Sequence, residues 1–214
     1  HDVEKRYKYA LRLASIQQEM GIQGTYYFRI INGKLQKNII SSIAEMGHEI
    51  GYHYDDLSHC RGYYKAAIRR FENHLDMLRD IAPVKTICME GAPLSKYDNR
   101  NLWKHYDYRD YGIIGEPYFD IDFSKVFYLT DTGRRWDGDK VSVRDKINSE
   151  KFNLSFRHTN DIIDAAEKGL LPSPLMMTIH PQRWTDKPLP WLRELLWQNA
   201  KNTVKRLVVA RRNK

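Results

Sequence analysis

Cysteine is scarce: Cys60 and Cys88 are the only two in 214 residues, far apart and without CxxC spacing. That excludes a disulfide framework and a zinc knuckle, and leaves two free thiols. Long apolar runs are missing as well, since no stretch approaches the roughly 20 residues of a membrane-spanning helix. Nothing looks like a signal peptide, and with free thiols the expected location is the cytoplasm. Acids are absent after Glu194, so the net charge of +8 gathers at the end of the chain, on Lys201, Lys205, Arg206, Arg211, Arg212 and Lys214. No aromatic residue interleaves with these charges, which favours a solvated helix face over a single-strand nucleic-acid platform. Repeats and Gly/Ser linkers are missing too, so a single domain spanning 1–214 is expected.

What is present is an alternation of helical and strand-like patterns. Tyr7, Ala10, Leu11, Ala14 and Ile16 recur at helical spacing, followed by a β-rich run from Gly24 to Phe28. Ile39, Ile40, Ile43 and Met46 form a second helix that stops at Gly47. His48 to Tyr52 reads as a strand with His53 at its end. Tyr64 to Leu78 is a long helix, and Val84 to Cys88 a further strand. Ile113-Ile114 and Val126 to Leu129 look strand-like, Thr159 is a candidate N-cap, Leu175 to Ile179 reads as a buried strand, and Trp191 to Val208 as a closing helix.

Alternating strands and helices imply an α/β fold with a mostly parallel sheet, open or closed into a barrel. In such folds the working residues follow the C-terminal ends of strands. Asp2 and Glu4, His53, the Glu90-Gly91-Ala92-Pro93 loop, Asp131 and His180 all occupy that position. Trp136, Trp184, Trp191 and the many tyrosines between Tyr97 and Tyr128 suit either a carbohydrate groove or ordinary packing.

Gly47-His48-Glu49-Ile50-Gly51-Tyr52-His53 resembles the second motif of the NodB-homology polysaccharide deacetylases, carbohydrate esterase family 4. His1-Asp2-Val3-Glu4 resembles their acidic first motif, and Leu175 to His180 their last, in the family's order. The resemblance implies a distorted (β/α) barrel, with the body of the first strand upstream of His1. It also implies removal of acetyl groups from an N- or O-acetylated sugar or polysaccharide. Asp2 would be the base, His180 the acid, and Glu4 and His53 ligands of a divalent metal, zinc first, with Mg²⁺ or Mn²⁺ as alternatives. Such a metal polarises the carbonyl and lowers the pKa of bound water to ~7.

Two departures stand out. The family's second ligand histidine falls at Leu57, leaving Asp56 as the candidate third ligand, with His59 and His158 as weaker ones. If nothing replaces that histidine, the metal should be weakly held or absent; if the neighbouring geometry is kept, Leu57→His should raise zinc affinity. The family's arginine loop becomes Glu90 to Leu94, where Pro93 remains, and Arg134 or Arg135, with Trp136, could face substrate instead. The alternative is a catalytically silent relative that binds a glycan or a protein partner.

Overall fold

Apolar residues at helical spacing form helices, and the aromatic and β-branched runs between them form parallel strands. In chain order the elements are β1 (Asp2–Val3), α1 (Tyr7–Glu19), β2 (Thr25–Phe28), α2 (Lys37–Glu45), β3 (Glu49–Tyr54), α3 (Asp56–His59) and α4 (Tyr64–Arg79). Then come β4 (Val84–Met89), α5 (Pro117–Asp120), β5 (Phe127–Thr130), α6 (Thr159–Glu167), β6 (Leu175–Thr178) and α7 (Pro188–Arg212). The computed structural model describes residues 1–137, 152 and 154–212, with side chains to residue 204. It divides into two compact units, His1–Asp120 and Ile121–Lys214.

In the first unit the strands form one parallel sheet in the order β1-β2-β3-β4. Asp2 pairs with Tyr27, Phe28 with Tyr52, and His53 with Cys88, so the C-terminal strand ends line up. Tyr26, Phe28, Ile50, Tyr52 and Ile87 share one core with Ala10 and Ala14 of α1, Ile40 and Ile43 of α2, and Phe71, Leu75 and Leu78 of α4. Fully burying one such large side chain contributes about 1.5–3 kcal/mol. Two glycines are required by geometry. Gly47 ends α2 at φ +87°, and a Cβ on Gly51 would lie 2.3 Å from the Tyr27 ring.

In the second unit β5 and β6 pair in parallel, Thr130 opposite Thr178. Phe127, Leu129, Trp136, Phe156, Ile162 and Ala165 make its core.

Several expectations change. Among the described residues the strands form two parallel sheets, four- and two-stranded, so an α/β fold is present and a closed barrel is not shown. Ile113-Ile114 is not a strand: a 3₁₀ turn at Tyr108–Tyr111 precedes it, and only an isolated bridge joins Gly115 to Thr86. β6 is half-buried rather than buried. His158, not Thr159, caps α6, because Asp161 reaches back to its backbone N–H. The expected closing helix is α7, whose side chains at Lys205, Arg206, Arg211 and Arg212 lie outside the described residues, as does Lys214. No helix among the described residues is long and apolar enough to cross a membrane. Cys60 and Cys88 are not joined in a disulfide.

Candidate functional site

The parallel register brings acidic residues and His53 to the strand ends of the first unit. His53 is the penultimate residue of β3 and is almost wholly buried. Its Nδ1 lies 3.0 Å from the Cys88 carbonyl oxygen, so Nδ1–H donates there and Nε2 becomes the ligating or proton-exchanging atom. Nε2 is 3.6 Å from Glu90 Oε2. Two three-residue groups share this imidazole, Glu4–His53–Glu90 and Asp2–His53–Cys88, each with ligand atoms within 4.8 Å of one another. Two carboxylates and one imidazole of fixed tautomer are a donor set that suits a divalent cation.

The electrostatics agree with that use. Burial works against charge on His53, but the carboxylates of Asp2, Glu90 and Glu4 outweigh it and lift its pKa to about 9. Burial likewise opposes ionisation of Glu90, yet His53, Arg29 and the Ala92 N–H hold it well below the usual carboxylate range. The cluster therefore favours positive charge next to Glu90, supplied by a proton on His53 or by a bound cation.

Asp56, expected as the third ligand, is in neither of these groups. Its carboxylate is fully buried and engaged by the Tyr52 hydroxyl at 2.9 Å and by Arg70 Nη1 at 2.6 Å. The same hydroxyl contacts His74 Nδ1 at 2.9 Å. Burial and the Asp55 charge push Asp56 up to about 7 despite Arg70. The reason is placement: Asp56 opens α3, and Leu57 beside it lies in the core at 1% exposure. Leu57→His would bury an imidazole in that core, so it is expected to cost about 2–4 kcal/mol of stability and give no gain in zinc affinity. Denaturant unfolding alongside zinc titration of the variant checks both. His59 is exposed on α3 and is in neither ligand group.

Glu90 is the residue that sequence reasoning undervalued. It was visible as a strand-end acid, but its place in the loop read as the loss of an arginine. Arg29, directly after β2, was missed, although its position at a strand end was the available signal. Pro93 sits half-buried in the loop beyond Glu90.

The second unit carries a different constellation. Asp131 and His180 follow β5 and β6, and His180 Nδ1 lies 2.6 Å from Asp131 Oδ1. Asp131 also accepts from Arg183 Nη1 at 2.7 Å, Trp184 Nε1 at 2.9 Å and the His180 backbone N–H. Burial resists its charge, but Arg183, His180 and Trp184 bring its pKa down to about 2. Arg134 and Trp136 are close by: with Asp131, Arg183, Trp184 and Trp191 they line a cleft of about 160 Å³. Arg134 lies over the Trp191 ring at 5.0 Å, and Trp136, largely buried, donates Nε1–H to Thr159. His158, with His59 one of the weaker ligand candidates, is an exposed helix cap in this unit.

No family model and no curated protein matches the chain. Among solved structures the chain is similar to Bacillus subtilis PdaA, a family 4 carbohydrate esterase, at 14% identity and a TM-score of 0.43, over 92% of this chain and 79% of that one.

Proposed function

We propose that this chain is a metal-dependent hydrolase that removes acetyl groups from an N- or O-acetylated sugar. Glu4, His53 and Glu90 would hold the cation, and Asp2 would act as base. The observation that carries the reading is the convergence of Glu4, His53 and Glu90, with Asp2 in the group that shares His53, at aligned strand ends. A divalent cation held there would supply polarisation of the acyl oxygen and acidification of a water.

The chain's own residues do the rest. Cys88 C=O fixes the His53 tautomer, so that Nε2 faces Glu90. Asp2, largely buried within reach of the same imidazole, is the group to take a proton from water. In the second unit Asp131 holds the Nδ1 side of His180, which leaves Nε2 for proton transfer; the motif resemblance alone gives that imidazole the role of acid.

The test is acetate release from a panel of acetylated sugars by protein purified without chelator. Release is expected to stop on chelation, to return with Zn²⁺ or Mn²⁺, and to fall about 100-fold or more in Asp2→Asn with metal content unchanged. Release that survives chelation overturns the metal dependence. The buried Leu57 at the expected ligand position favours a second reading, a silent relative that binds glycan. It calls for sugar binding with no acetate release at any metal loading.

A further inference from the structure

The geometry points to Arg29 as a positioning residue for the cation site, acting through Glu90. This inference rests on the metal reading above. Arg29 stands directly after β2, where its N–H donates to Val3 O at 3.0 Å and its own carbonyl accepts from the Tyr7 hydroxyl at 3.1 Å. Its backbone is thus tied to the loop that carries Glu4. Its guanidinium reaches two ways. Nε and Nη2 donate to Asp55 Oδ2 at 2.9 and 2.6 Å, and Nη1 donates to Glu90 Oε2 at 3.1 Å. Asp55 is in turn held at its other oxygen by Arg70 Nη1 at 2.6 Å, from α4. Glu90 Oε1 accepts from the Ala92 N–H at 2.9 Å.

The carboxylate of Glu90 is therefore fixed at both oxygens, with Oε2 the one beside His53 Nε2. A planar guanidinium with a fixed fork can hold two acids at a set separation; an ammonium on a flexible stem cannot. Two opposing effects follow from the contact. The positive charge makes Glu90 a poorer donor, whereas the fixed geometry removes the entropy cost of collecting it around an ion. Glu90 Oε2 keeps a second lone pair while bonded to Nη1, and partners of ligating carboxylates of this kind are typically worth 10–100-fold in metal affinity. Positioning is the effect that wins. Asp55, two residues after His53 in the chain, is the strut that aims Arg29 rather than a ligand.

Calorimetric titration of Zn²⁺ and of Mn²⁺ into the full chain, Arg29→Met, Arg29→Lys, Glu90→Gln and the Arg29→Met/Glu90→Gln double variant tests this. Arg29→Met is expected to bind 10–100-fold more weakly, with Arg29→Lys in between. In the Glu90→Gln background, Arg29→Met should have no further effect, an outcome that a general loss of structure would not give. Equal or tighter binding by Arg29→Met overturns the role of Arg29 and leaves the metal reading standing. So does an equal loss in both backgrounds. If Arg29→Met does not fold by circular dichroism, Arg29→Lys decides alone: full affinity overturns the proposal, and about tenfold weaker binding supports it. No cation uptake by the unsubstituted chain removes the metal reading, and this proposal with it.

Discussion

Glu90→Gln is expected to weaken divalent-cation binding by more than about 100-fold, while Asp56→Asn leaves it within a factor of two. The first figure follows from the proposal that Glu90 is one of the three ligands, since even outer partners of ligands cost up to 100-fold. The amide also cannot satisfy its neighbours. If its oxygen keeps the Ala92 N–H, its NH₂ points at Arg29 Nη1 and His53 Nε2, both donors when His53 is protonated. If it flips, the donor faces the Ala92 N–H instead. Asp56→Asn acts elsewhere. It weakens the Arg70 and Tyr52 contacts in a fully buried position and should cost about 1–3 kcal/mol of stability without touching the ligands. Calorimetry on both variants, with unfolding curves beside it, separates the two. A loss of cation binding in Asp56→Asn, with Glu90→Gln unaffected, would restore Asp56 as the ligand.

The second large effect belongs to Asp131. Asp131→Asn is expected to destabilise the protein by about 3 kcal/mol at pH 7, because a buried acid that serves Arg183, His180 and Trp184 is replaced by a neutral group that also donates. The pH dependence has a definite sign. The folded-state pKa of Asp131 is about 2, below the model-peptide value of 3.8. Its ionised form therefore contributes stability above the unfolded pKa, worth about 2 kcal/mol for a shift of this size. That contribution fades as pH falls from about 4 towards 2. The stability gap between the two proteins should narrow over the same range, by about 2 kcal/mol. Equal gaps at pH 7 and pH 2.5 in denaturant unfolding would show that Asp131 is not stabilised as an anion.

What could be read from the sequence was mostly local. Tyr7, Ala10 and Ala14 repeat with the period of a helix that buries one face, and they are the buried residues of α1. Gly47 marked the end of α2 because only a residue tolerant of positive φ fits there. His53 at a strand end was visible for the same kind of reason. What escaped was pairing at a distance. Asp56 follows His53 in the chain and so looked like its partner, but α3 begins there, and Asp56 meets the guanidinium of Arg70 together with Asp55. Glu90 reaches His53 only because β4 lies beside β3, with a register shift between Ile50 and Tyr52 that composition does not announce. Ile113-Ile114 had the composition of a strand but followed a 3₁₀ turn, and only Ile113 is buried. The reading of Leu175 to Ile179 as a buried strand failed for a related reason: with β5 as its paired strand, Met177 keeps 37% of its surface in solvent.

The hold on His53 Nδ1 has a consequence for how this site tolerates mutation. The acceptor is the main-chain oxygen of Cys88, which every residue type would provide at that position. His48 is held the same way, by Ala14 O and the Gly24 N–H. No single side-chain replacement deletes those partners, so imidazole orientation is buffered against genetic drift while the acids around it are not. Sequence change at this site would thus register first in charge and only later in shape, and a chain that had lost Glu4 or Glu90 could still present His53 in its present tautomer.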